Sequence, residues 1–111
     1  MLSPELHTRV SDAIDALEAQ GTYGFDATDS RCCYLDPNGN KCLVGLMLTP
    51  EQLETWGDHS GTVLGLAPQV FMAGEALELR QFQRIHDNYA ADELPLAECI
   101  DALRRKLQTY D

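Results

Sequence analysis

The stretch Arg31-Cys32-Cys33-Tyr34-Leu35-Asp36-Pro37-Asn38-Gly39-Asn40-Lys41-Cys42-Leu43-Val44-Gly45-Leu46-Met47-Leu48 decides how this chain is read. Pro37 presets the first dihedral of a turn, and Gly39 accepts the positive φ that closes a three-residue loop. Aromatic and β-branched residues on either side, Tyr34 and Val44 among them, favour extended backbone. The pattern predicts a hairpin of strands 31–36 and 40–48. In that register Asp36 faces Asn40, Tyr34 faces Cys42 and Cys32 faces Val44. Residues 22–27, with Tyr23 and Phe25, form a candidate third strand. A lone hairpin is barely stable in water, so helices must cover it.

The flanks supply those helices. Ser3-Pro4-Glu5 places a hydroxyl cap, a proline where no amide bond is lost and an acid at the positive helix end. Leu6, Val10, Ile14 and Leu17 then make one apolar stripe, and Gly21 is suited to a left-handed cap, which predicts a helix over 4–20. Thr49-Pro50-Glu51-Gln52 is a capping box opening a short helix that turns Leu53 and Trp56 inward. Residues 57–65, with Gly57, Gly61 and Gly65, read as a loop. Over 75–90, Leu79, Phe82, Ile85 and Tyr89 form a stripe with His86 at its edge. A last helix over 95–109 carries Leu96, Ile100, Leu103 and Leu107, with Arg104, Arg105 and Lys106 at its negative end. The expectation is one compact domain, 1–111, of class α+β: a small antiparallel sheet packed against about four helices.

Hydrophobic residues at 44% and charged residues at 23% are ordinary for a soluble globular domain. Eight Lys and Arg against eighteen Asp and Glu leave a net charge of −10, which repels a phosphate backbone or an anionic membrane surface. Direct nucleic-acid binding is therefore not expected. No apolar run is long enough to span a bilayer, and Met1 to Val10 lacks the basic flank and apolar core of a secretory signal. Both point to the cytoplasm, where the four cysteines would be reduced thiols.

Three constellations could carry function. Cys32, Cys42 and His86, with Cys99 or His59, are a candidate zinc set, because zinc accepts thiolate and imidazole in a tetrahedral shell. The nine residues between Cys32 and Cys42 do not match the short spacing of a zinc knuckle, and buried cysteines often serve as small hydrophobes. Cys42 or Cys32 with His86 would suit a thiol-dependent enzyme, with Asp87 or Asn88 orienting the imidazole. Neighbours on a helix point about 100° apart, which leaves Asp87 badly placed for that task. The third is charge. No basic residue lies between Lys41 and Arg80, whereas Glu51, Glu54, Asp58, Glu75 and Glu78 do, with Trp56 and Phe71 as candidate aromatic anchors of an acidic binding surface. The glycines do not form a phosphate-binding loop: the spacing and the lysine are both missing.

Cys32, Tyr34, Pro37, Gly39, Lys41, Cys42 and Gly45, followed by Phe82-Gln83 and His86-Asp87, make up a recurring signature. It resembles that of a set of small bacteriophage and prophage proteins. Their pattern is a Cys-x-Tyr strand, a Pro-x-Gly turn, a Lys-Cys-x-x-Gly strand and a Leu-Gln-x-x-His-Asp helix. Phe82 stands where leucine is usual, and the likeness covers residues 22–48 and 79–107. The resemblance implies a phage or prophage setting and action inside the host cell, with no activity to carry over. It also draws Cys32, Cys42 and His86 together as a structural cluster. The functional expectation is a non-catalytic accessory protein, inhibition being one such role, that binds a host or defence protein through a basic surface on that partner. A thiol-dependent enzyme and a zinc-stabilised module are the alternatives, and otherwise no cofactor is expected.

Overall fold

The computed structural model describes residues 3–26, 31–32, 39–56 and 73–110, with the backbone alone at 25, 26, 31, 32, 56 and 73. Helix α1 spans Pro4–Gln20. Ser3 Oγ accepts from the Leu6 amide at 3.1 Å, and Gly21, at φ 81°, ends the helix by returning its N–H to the Leu17 carbonyl. Helix α2, Pro50–Trp56, opens on a reciprocal box: the Thr49 amide donates to Gln52 Oε1 at 2.9 Å and the Gln52 amide to Thr49 Oγ1 at 3.2 Å. Helix α3 spans Ala73–Ala91 and helix α4 spans Leu96–Gln108. Between them Glu93 takes the left-handed conformation (φ 54°), while the Leu94 amide reaches back to Tyr89 O and the Glu93 amide to Ala90 O. This is a Schellman-type stop with a glutamate in the usual place of glycine.

Helix α4 is the centre of the assembly, packed against α1 on one side and α3 on the other. Leu6, Val10, Ala13, Ile14 and Leu17 of α1 meet Cys99, Ile100, Leu103 and Leu107 of α4, and Ala76, Leu79 and Phe82 of α3 complete the same core. Arg104 fastens α4 to α1 at the surface, 3.0 Å from Asp15 and 3.1 Å from Glu18. All three side chains are well exposed, so this bridge contributes little to stability.

The fold is therefore helical, which corrects the α+β expectation. Helices pack on helices, and the strand pairing among the described residues is confined to β1, Phe25–Asp26, against β2, Arg31–Cys32. The expected hairpin 31–36/40–48 does not form: Cys32 pairs with Phe25 and not with Val44. The stretch 40–48 is no strand. Leu43 and Val44 turn, and Gly45–Met47 form a turn of 3-10 helix leading into α2. Cys42, Leu43 and Val44 are each fully buried in succession. A strand with one face on helices buries alternate residues, whereas a coiled segment can turn all three inward. Gly39 does take a positive φ, 84°, but Tyr34, Pro37 and the rest of 33–38 lie outside the described residues.

Candidate functional site

The segment Lys41–Gly45 is pinned from both sides by side chains. From the end of α1, Gln20 donates through Nε2 to the Lys41 carbonyl at 2.9 Å and accepts the Lys41 amide at Oε1 at 3.0 Å, copying the pairing of a neighbouring strand. The same Nε2 donates to Thr22 O at 2.7 Å. Gly24 then lies flat on the Lys41–Cys42 peptide: a Cβ there would come within 2.2 Å of Cys42 N and of Lys41 C. From α3, the buried Gln83 accepts the Val44 amide at Oε1, 3.0 Å away. Cys42 Sγ accepts the Gly45 amide at 3.4 Å.

Gln83 also reaches one turn along its own helix, donating to Asp87 Oδ1 at 2.6 Å. That oxygen lies 3.0 Å from His86 Nδ1. A carboxylate has no proton to give, so Nδ1–H donates. The expectation that Asp87 is badly placed to orient its neighbour is thus corrected: both side chains bend across the 100° separation, and Gln83 holds the carboxylate where they meet. His86 is fully buried and not at the rim of the stripe as predicted; the inward face of α3 is rotated toward Ala76, Leu79, Phe82, Gln83, His86 and Ala90. The ring of Tyr23 stands edge-on to it, with centroids 5.4 Å apart, and Tyr23 donates to Leu94 O at 2.7 Å. Burial, followed by the nearby Cys99 and Glu98, pushes the Tyr23 phenol up to about 12. His86 Nε2 has no hydrogen-bond partner among the described residues.

Chemically, this is a hydrogen-bonded polar strut through an apolar core. Burial pushes the Cys42 thiol up to about 12, against weaker opposite effects from the Gly45, Gln83 and Val44 hydrogen bonds. Burial, with the Asp87 charge behind it, does the same for Cys99. An activated nucleophile needs its thiol shifted the other way. Cys42 makes no hydrogen bond to His86 Nε2. Among the described residues no three His, Cys, Asp or Glu side chains gather as a metal set. The Cys32 side chain and His59, both named for zinc, lie outside the described residues.

The acidic candidates separate. Glu51 and Glu54 project into solvent from α2. Glu75 and Glu78 are half-buried on α3, and Glu78 accepts the Tyr110 hydroxyl at 2.5 Å, a bond that holds its carboxyl below the usual range. Asp58, Phe71 and the Trp56 side chain lie outside the described residues. Sequence reasoning missed Gln20, Gly24 and the bonding role of Gln83. A glutamine one residue behind a core phenylalanine and four before an aspartate was the available signal, because i, i+4 partners share a helix face.

No described helix is long and apolar enough to cross a membrane. Models of protein families, curated proteins and solved structures were each compared with the chain, and none matches it.

Proposed function

We propose that the protein is a small acidic accessory protein of phage or prophage type that works without catalysis, by laying an acidic face against a basic surface of a host or defence protein. One observation carries this reading. Among the described residues, Cys42 is buried and bonded to the Gly45 amide and His86 is buried and bonded to Asp87, while Glu51 and Glu54 stand exposed on a helix that carries no cation, in a chain of net charge −10. Opposed charge of this kind gives partner choice and association rate more than raw affinity.

The test is capture of host proteins on the immobilised chain at about 50 mM and about 500 mM salt, beside the Glu51→Lys/Glu54→Lys variant. A captured protein with a basic surface should be lost at the higher salt and from the variant alike. Binding indifferent to both changes would refute the electrostatic role. Turnover of any substrate abolished by Cys42→Ala would refute the non-catalytic one.

A further inference from the structure

Although acids outnumber bases, the bases are not scattered. Arg80, Arg84, Arg104, Arg105 and Lys106, five of the eight Lys and Arg residues, stand on α3 and α4. Between these helices runs a groove of about 620 Å³ lined by Leu77, Arg80, Gln81, Arg84, Ile85 and Lys106. Among the described residues three cations line it and no acid does. Arg104 is neutralised by Asp15 and Glu18, whereas Arg80 and Arg84 make no hydrogen bond or ion pair among the described residues. Lys106 lies over the Tyr110 ring, 5.4 Å from its centroid, which fixes the ammonium in place without cancelling its charge. In the same groove Leu77 is 53% exposed, the largest exposure recorded for a large hydrophobic side chain among the described residues.

We propose that this α3/α4 groove is a docking site for an acidic segment of a partner protein, carrying an apolar side chain that seats against Leu77 and Ile85. Leu77, Gln81 and Arg84 follow one another at helical spacing, so the site extends about 10 Å along α3 and suits a ligand of about two helical turns. Charge complementarity selects an anionic occupant, because Arg80 and Arg84 make no ion pair among the described residues, while Lys106 also acts on Glu78. The apolar floor selects a peptide over a nucleic acid, since phosphate gains nothing from Leu77. The site is separate from the acidic face of α2 and does not rest on it.

Fluorescence anisotropy with a labelled peptide of about twelve residues, alternating Glu-Glu with Leu-Leu, tests the assignment on the full chain. Binding should weaken at least about tenfold in Arg80→Glu/Arg84→Glu and about threefold or more in Leu77→Ala. It should survive Glu51→Lys/Glu54→Lys, which removes the other surface. All the replaced side chains are at least partly exposed, and an unchanged far-UV circular dichroism spectrum with unchanged urea midpoint confirms that each variant folds. Three results overturn the proposal: no binding of the peptide at millimolar concentration; binding that ignores the Arg80/Arg84 reversal; or a single-stranded oligonucleotide that binds as tightly and without regard to Leu77. Sedimentation showing that the groove is filled by a second copy, with dimers broken by the same variants, overturns it equally.

Discussion

Replacing Gly24 by alanine tests the packing on which the whole arrangement rests. The added methyl would sit 2.2 Å from Cys42 N and from Lys41 C and 2.7 Å from Lys41 O, where ordinary contact begins at 3.4 Å. The atoms in the way are backbone, so no side chain can swing aside, and the 41–42 peptide must retreat by more than an ångström. It is held against that retreat by the Gln20 pair at 2.9 and 3.0 Å and, two residues on, by Gln83. Overpacking of a dense core costs about 1–3 kcal/mol, and losing the two Gln20 bonds adds about 1 kcal/mol each. A loss of about 3–5 kcal/mol is a large share of the stability of a domain this size. In urea unfolding followed by far-UV circular dichroism, the midpoint should fall by about 2 M. Gly21→Ala is the control: its φ of 81° penalises a side chain, but nothing lies within 4 Å, so about 1 kcal/mol is expected. If Gly24→Ala unfolds no more readily than Gly21→Ala, the close approach of the two segments is wrong.

Gln83→Leu should keep the volume of the core while leaving the Val44 amide buried without its acceptor, a loss of about 1–3 kcal/mol in the same assay. Gln81→Leu, on the exposed side of α3, should stay within about 0.5 kcal/mol, and equal effects at the two positions would remove the strut. The raised Cys42 thiol predicts alkaline lability: an unfolded thiol ionises near its ordinary 9.0 while the folded one keeps its proton until about 12. Stability from this group is therefore whole below pH 9.0 and falls by about 1.4 kcal/mol per pH unit above it, toward pH 12. Cys42→Ala should flatten that limb by the same slope, and an unchanged slope would show that Cys42 is not held protonated by burial.

The helices were legible because each carries its own local signals. Ser3, Gly21, Thr49 and Gln52 act as their chemistry predicts, and the α1 and α4 stripes form the core. The hairpin was not legible, and the reason lies in where the backbone bonds of 41–48 go. A strand reading assumes that they meet another strand. Here the Lys41 and Val44 amides meet glutamine side chains from α1 and α3, and the amides of Leu46, Met47 and Leu48 turn back on local carbonyls. Glutamines far away in sequence leave no mark on the periodicity of the segment that they hold. The run Cys42-Leu43-Val44 is equally consistent with a buried strand and a buried coil, and only the third dimension separates them. His86 was misplaced for a related reason: the stripe was traced through Ile85 and Tyr89, whereas Gln83 and His86 face the core, where Gln83 and the Nδ1 of His86 are hydrogen-bonded.

The parts of the signature at Lys41–Gly45 and Gln83–Asp87 have a physical meaning in the structure. Cys42 accepts the Gly45 amide, which accounts for a cysteine and a glycine three apart. Gln83 accepts the Val44 amide between them and donates a hydrogen bond through Nε2 to Asp87, which in turn anchors His86. Lys41 takes part through its backbone, clamped by Gln20, so its side chain is not what the motif needs at that point. A pattern of this kind is a folding instruction: it specifies how a sheetless segment is fastened to a helix. The pattern itself leaves open what the protein binds. On the two proposals above, selectivity resides outside the signature, in Glu51 and Glu54 on one helix and in Leu77, Arg80 and Arg84 on another. Exchanging either set should change the partner while leaving the urea midpoint where it was, and exchanging Gln83 should do the reverse.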